Sequence, residues 1–298
     1  MRLCGRVGEE RTEREWEVAV VGGGPAGLAA GLQSARAGRR TILLERGALG
    51  GQARRLSLIE NVPGWPDGVS GRSLMTLWAR QARSWGLKSA QGTLAGIRRA
   101  PGALDLRLED GRSLKARAVV LAPGAVFKKL GVPGEKRLFG RGLHHAAFDE
   151  APRWRGRDVA VVGGGEAAVH QAVHLARWAK RVVLIARGPL KAHALLTARL
   201  RARANVEVAR GSVVRFAGRG RLEAVVVRGA DGRPRRMRVS AAFVLIGAEA
   251  SPWARRSSVP GVFLAGDARG CVERQVAVAA GDGMAAAVRA LRWLRERP

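Results

Sequence analysis

Apolar and polar positions follow one another in a repeating order along this chain. Glu17–Val21 is a short apolar run that stops at Gly22-Gly23-Gly24-Pro25-Ala26-Gly27, and an alanine-rich helical stretch, Leu28–Ala37, comes next. Arg40–Leu44 is a second apolar run, closed by Glu45. Apolar runs this short, bounded by glycine, read as buried strands. The order is therefore strand, glycine turn, helix, strand, acid. Glu45 lies 23 residues beyond Gly22, the spacing at which an acid ending the second strand reaches the adenosine ribose of a dinucleotide.

The same order returns in the middle of the chain. Asp158–Val162 reads as a strand, Gly163-Gly164-Gly165 as the turn, Glu166–Trp178 as a helix and Arg181–Ile185 as the next strand, with the two turns starting 141 residues apart. One such motif is weak evidence, whereas two in the same context predict two dinucleotide-binding domains. After the first copy, Leu104–Leu108 and Ala116–Leu121 flank the turn Asp110-Gly111 as a hairpin. After the second, Val206–Val208, Val213–Phe216, Leu222–Val227 and Met237–Ile246 surround Asp231-Gly232. Gly261-Val262-Phe263-Leu264-Ala265-Gly266-Asp267 is a late buried strand ending in a Gly-Asp pair, and residues 276–295 form an amphipathic helix.

The expected fold is α/β: two Rossmann-like dinucleotide-binding domains of three-layer ββα type, the second inserted in the first. Residues 1–16 are expected to be a flexible arm, 17–125 with 240–298 the first domain, and 126–239 the second.

Composition narrows the function classes. The chain has 298 residues, 40 of them glycine without a collagen period, and 47% hydrophobic residues, which suits folded domains. Cys4 and Cys271 are its two cysteines, too few for a disulfide framework or a Cys-only metal site. No metal is expected: Glu166, His170 and His174 recur every four residues on one helix face, but no further ligand motif joins them. No long uncharged apolar stretch spans a bilayer and the start lacks the apolar core of a signal, so a cytoplasmic, non-membrane protein is expected. The formal charge is +29, from 53 Lys+Arg (46 of them arginine) against 24 Asp+Glu. That charge favours acidic partners. The arginines are scattered, so no specific nucleic-acid binding is expected.

The chemistry concentrates at the glycine turns. In the first, Gly22 permits the tight bend, Gly24 lets the backbone approach a pyrophosphate and Gly27 allows close helix–strand packing, with the helix amino end facing the phosphates. Gly266-Asp267 adds an acid that can accept ribityl hydroxyls, which turns the reading from NAD toward FAD. In the second turn, Gly163 and Gly165 take the corresponding places. Ile185-Ala186 stands where an acid would grip a ribose 2′-hydroxyl, and Arg187 and Lys191 follow. Positive charge there favours a 2′-phosphate, hence NADPH.

These segments resemble the low-molecular-weight thioredoxin reductase family of flavoproteins. VAVVGGGPAGLAAG, GGQ (50–52), IENVPG (59–64), VAVVGGGEAAV and VPGVFLAGD with RQVAVAAGDG carry the resemblance over about residues 17–293. It implies that Gly22, Gly24, Pro25, Ala26, Gly27 and Glu45 hold the ADP half of FAD. Gly51, Gln52 and Asn61 would approach the flavin, and Asp267 the ribityl chain. Arg274, Gln275 and Val276 would line the pyrimidine side of the ring. The resemblance also implies a homodimer whose NADPH domain rotates.

The departure lies where the family's chemistry sits. Ala146 and Asp149 stand at the places of its Cys-x-x-Cys pair, and Glu150 at that of its proton-donating acid. The usual dithiol exchange is therefore excluded. The leading expectation is an FAD-dependent oxidoreductase, reduced by NADPH, that passes electrons directly to a small molecule or to an acidic redox protein such as ferredoxin or flavodoxin. His144, His145, Asp149 and Glu150 are candidates to steer protons or the acceptor. Three alternatives stand beside it. One is a nicotinamide-independent flavoenzyme reduced by ferredoxin or a similar partner. Another is a non-catalytic FAD-binding sensor or scaffold. The last is a single-thiol disulfide reductase using Cys271.

Overall fold

The computed structural model describes residues 15–146, 151–270 and 273–297. From the amino end the first elements are β1 (Trp16–Val21), α1 (Pro25–Arg36), β2 (Thr41–Glu45), α2 (Gly71–Ser84), β3 (Lys88–Gln91), β4 (Leu94–Ala100), β5 (Ala103–Leu108) and β6 (Ser113–Leu121). Next come β7 (Val126–Phe127), α3 (Glu135–Leu138), β8 (Leu143–His144), β9 (Asp158–Val162), α4 (Glu166–Leu175), β10 (Arg181–Ala186), α5 (Ala194–Arg201) and β11 (Val206–Arg210). Then follow β12 (Ser212–Ala217), β13 (Ala224–Arg228), β14 (Pro234–Arg238), β15 (Ala241–Val244), β16 (Ala248–Glu249), β17 (Val262–Leu264) and α6 (Val276–Arg295). The chain divides into two units. Met1–Arg54, Leu58–Gly124 and Ala250–Pro298 form one, and Ala125–Glu249 with Arg55–Ser57 the other.

In the first unit the strand order is β3-β2-β1-β6-β5-β4, with β17 also on β6. β6 runs parallel to β1 along one edge and serves two further partners along the other. Ser113–Ala116 runs antiparallel to β5, while Val119–Leu121 runs parallel to β17. One sheet thereby becomes a parallel layer and an antiparallel flap. Ala19, Val21, Ile42 and Leu44 on the parallel strands pack against Leu94, Leu104, Leu106 and Leu108 of the flap. Ala26, Leu28, Ala29 and Ala30 of α1 are buried, as are Ala279, Gly283, Ala286 and Ala290 of α6. Small residues on both helices allow the close approach described below.

The second unit repeats the plan. Its parallel sheet has the order β11-β10-β9-β15-β8, and β12-β13-β14 forms a separate antiparallel sheet. Side chains alternate across the parallel strands with period two. Val159, Val161, Val182 and Leu184 meet Ala168, Val169, Ala172 and Leu175 of α4. Ala160, Val162, Val183 and Ile185 meet Phe216, Val225 and Val227 of the antiparallel sheet. Each unit is thus a three-layer ββα module, as the alternation in the sequence leads one to expect.

Two boundaries differ from the sequence reading. Residues 237–246, expected as one strand, divide at Val239-Ser240. Val239 N–H still donates to Glu223 O across the antiparallel sheet, whereas Ser240 N–H donates to Asp158 O beside β9. The chain changes sheets there, and β15 pairs parallel with β9. The second unit consequently extends to Glu249, ten residues past the expected boundary at 239. Helix α1 starts at Pro25, not Leu28, because Gly24 supplies an extended cap and proline suits the first helical position. Among the described residues no helix is long and apolar enough to cross a membrane.

Candidate functional site

The first glycine turn is shaped by the absence of side chains. Gly22 has φ +98°, and a Cβ there would lie 2.2 Å from Ala122 O; one on Gly27 would lie 1.7 Å from Gly22 O. Both glycines are therefore required by the crossing of β1, α1 and the end of β6. Gly24 differs: the nearest atom to a Cβ there is Gly51 Cα at 3.9 Å, so its outer side is open. Gly24 caps α1 without a side-chain hydrogen bond. The first-turn N–H groups of a helix have no intrahelical acceptor, and an open glycine edge before them is a cradle for a pyrophosphate. The turn fits the diphosphate of a dinucleotide.

The expected neighbours converge on this turn. Glu45 accepts from Gly23 N–H at 2.6 Å through Oε2 and from Gly47 N–H at 3.0 Å through Oε1. Gly50 N–H donates to Gly23 O at 2.7 Å, which lays the Gly51-Gln52 loop against the turn. Asn61 Nδ2 donates to Gln275 Oε1 at 2.8 Å. Gln275 is also the capping residue of α6, and no side chain caps that helix. Its amino end, which begins with Val276, is open like that of α1.

Asp267 sits in a 3-10 turn, Gly266–Arg269, at the end of β17. Burial pushes its carboxyl above the usual carboxylate range, and the nearby charge of Arg274 pulls it partly back. A Cβ on Gly266 would lie 2.7 Å from Ala26 Cβ. The structure thus brings Asp267 beside the first glycine turn, although 240 positions separate it from Gly27 in the sequence.

The second turn has the same logic. Gly163, φ +144°, would place a Cβ 2.2 Å from Leu245 O, while a Cβ on Gly165 would meet nothing within 4 Å. Gly165 caps α4 without a side-chain bond. Lys191 N–H donates to Gly164 O at 2.6 Å. The segment after β10 therefore folds back onto the turn, and Lys191 lies beside it. Arg187 is exposed just beyond β10.

The two histidines are packed among aromatic rings. His144 stacks on Phe243 with centroids 5.7 Å apart and tilts over Trp154 at 6.0 Å. His145 stacks on Phe127 at 5.0 Å and tilts against Phe139 at 5.1 Å. Its Nδ1 lies 3.2 Å from Val244 O. A carbonyl only accepts, so Nδ1 carries the proton and Nε2 is left for exchange. Asp149, Glu150 and Cys271 lie outside the described residues, as does most of the expected arm with Cys4. Among the described residues no group of three His, Cys, Asp or Glu side chains could hold a metal.

Sequence reasoning missed Asp282, which accepts from Gly266 N–H at 2.7 Å through Oδ2 and from the Arg269 guanidinium through Oδ1. A signal was present. Asp282 stands between Gly281 and Gly283 in mid-helix, where each glycine costs about 1 kcal/mol relative to alanine.

Two ββα modules, each opening a glycine cradle at a bare helix terminus, define a dinucleotide-binding oxidoreductase architecture. The chain belongs to the pyridine nucleotide-disulphide oxidoreductase family, whose model matches residues 16–283. It is similar to thioredoxin reductase of Bacillus subtilis (strain 168), 31% identical over 307 residues that span 95% of this chain and 96% of the relative. Lactococcus lactis thioredoxin reductase has a similar structure, with TM-score 0.89 and 27% identity, covering 95% of this chain and 100% of that one. Thioredoxin reductase of T. acidophilum, at 24% identity and TM-score 0.86 over 95% of this chain and 99% of the other, shares the fold. The protein is thus an FAD-dependent oxidoreductase of thioredoxin-reductase-like fold, built of FAD- and NAD(P)H-binding domains.

Proposed function

We propose that this chain is an FAD-dependent oxidoreductase that works without a dithiol relay. The observation that carries the reading is the cysteine inventory: Cys4 and Cys271 are the two cysteines, 267 residues apart, and Ala146 occupies the first position of the family's pair. Alanine offers no sulfur for exchange. When bound, FAD supplies an isoalloxazine that takes a hydride from NADPH and hands two electrons to an acceptor.

The chain's own residues hold and orient. The Gly22–Gly27 turn with the bare end of α1 grips the diphosphate, and Glu45 faces the adenosine ribose. Gly51, Gln52 and Asn61 approach the ring from one loop. Arg274, Gln275 and Val276 do so from another, where the bare end of α6 favours negative charge on the pyrimidine side. In the second unit Gly163 and Gly165 leave room for the nicotinamide dinucleotide, and Arg187 and Lys191 pair with its 2′-phosphate. His145 Nε2, with Nδ1–H anchored on Val244 O, takes up a proton from solvent and passes it to the acceptor, assisted by His144, Asp149 and Glu150. The excess of basic residues suits an acidic redox protein as acceptor. The working form is a homodimer.

Anaerobic titration with NADPH, followed by loss of oxidised-flavin absorbance, tests this reading. Stoichiometric bleaching supports it. No reduction by either nicotinamide overturns it in favour of the second reading, a flavoenzyme reduced by a ferredoxin-like partner. Ala167, His170 and Gly188 motivate that alternative, because they replace polar and charged residues of the family's nucleotide site.

A further inference from the structure

The first unit must hold two turns in fixed relation although they come from opposite ends of the chain, Gly22–Gly27 and Gly266-Asp267. Both meet at Ala26. On one side a Cβ at Gly266 would lie 2.7 Å from Ala26 Cβ; on the other, a Cβ at Gly283 would lie 2.1 Å from Ala26 O. Ala26 is therefore clasped between the late turn and helix α6. Asp282, next to Gly283 and largely buried, with 16% of its side chain exposed, fastens the clasp. Its Oδ2 accepts from Gly266 N–H at 2.7 Å, and its Oδ1 accepts from the Arg269 guanidinium. One carboxylate thus ties both ends of the 3-10 turn that carries Asp267. Gly266 is held there at φ +66°, a conformation that favours glycine.

We infer that Asp282 is a positioning residue for the cofactor: it sets where Asp267 stands relative to the diphosphate turn, and so fixes the span between the diphosphate and ribityl subsites. This rests on the proposed reading that Asp267 faces the ribityl chain. The chemistry selects a carboxylate. Two acceptor oxygens are needed, one for a backbone N–H and one for a guanidinium, and charge-assisted bonds are the strong ones. Asparagine retains one acceptor for Gly266 but cannot accept from Arg269 at the same time. Alanine retains neither.

The distinguishing probe is ADP, which carries the diphosphate and adenosine ribose of FAD but no ribityl chain. Dissociation constants for FAD and for ADP are measured on the full chain stripped of flavin, with saturating NADP+ to occupy the second cradle. Asp282→Ala is expected to weaken FAD about tenfold and to leave ADP within about twofold, and Asp282→Asn is expected to recover about half of the loss on a logarithmic scale. Combining Asp267→Asn with Asp282→Ala is expected to be no worse than Asp267→Asn alone, because a misplaced acid matters only while the acid is present. Equal losses for FAD and ADP, or an unchanged FAD affinity, overturn the inference. Should Asp282→Ala not fold, Arg269→Ala gives the same decision from an exposed site: FAD weakens about threefold with ADP unchanged, and any other pattern contradicts the inference. If Asp267→Asn itself leaves FAD binding intact, the ribityl reading fails first. If it weakens FAD while Asp282→Ala does not, the positioning role alone fails.

Discussion

The side-chain amide of Asn61 donates to Oε1 of Gln275 at 2.8 Å, joining two loops 214 residues apart in the sequence. Both residues belong to motifs that the family resemblance places on the flavin, and the bond shows that the fold of the first unit brings those motifs together. It also withholds the Gln275 side chain from the cap of α6, which leaves that helix end bare. Thermal unfolding of Asn61→Leu, Gln275→Leu and the double variant should give a coupling energy of about 1 kcal/mol. Additive losses would show that the bond contributes nothing.

The two glycine cradles predict opposite responses to the same substitution. In Gly27→Ala the new Cβ meets Gly22 O at 1.7 Å and Gly22 C at 2.9 Å, both backbone atoms. The crossing cannot relax, and a loss of about 3 kcal/mol or more is expected in unfolding measurements. In Gly165→Ala the Cβ enters open space at φ −86°, so the melting temperature should stay within about two degrees. The KM for NADPH should nevertheless rise, because the methyl group occupies the cradle.

Arg187 and Lys191 test the identity of the reductant. If they pair with a 2′-phosphate, Arg187→Ala and Lys191→Ala should each raise the KM for NADPH about tenfold and leave the NADH value unchanged. Equal effects on both nucleotides would mean that these side chains belong only to the general basic surface.

Asp267 carries a pH signature. Burial raises its carboxyl in the folded chain, with Arg274 opposing. Between the unfolded value near 3.8 and the raised folded value, the folded state binds more protons. Its stability therefore falls as pH rises through that window and then stays level. Asp267→Asn should accordingly stabilise the flavin-free protein at neutral pH and give no gain below about pH 3.8, while weakening FAD. A melting-temperature profile against pH reads the first effect, and flavin titration reads the second. No stabilisation at neutral pH would contradict the burial argument.

Much of this architecture was legible because buried parallel strands must be short apolar runs and glycine turns have few substitutes. Asp158–Val162 and the onset of α4 at Glu166 followed from those constraints, as did all of α6. The division of residues 237–246 was not legible. Val239 and Ala241 are apolar whichever sheet receives them, and the change of sheet is decided by tertiary pairing. Helix α4 ends at Leu175, earlier than its apolar pattern suggests, with Ala176 as cap and a turn through Trp178. The candidate site residues are those that a motif announces. Asp282 lies inside RQVAVAAGDG, but its part arises from a contact between α6 and a turn 16 residues away, which the motif and its flanking glycines mark without revealing the partner.

The proposed electron transfer needs no thiol. It is tested most directly in the Cys4→Ser/Cys271→Ser variant, assayed anaerobically for flavin reduction by NADPH and then for turnover with a quinone acceptor. Full bleaching and a turnover within about twofold of the parent are expected, since no cysteine carries the electrons. Loss of quinone turnover in the cysteine-free variant, with FAD still bound, would contradict it.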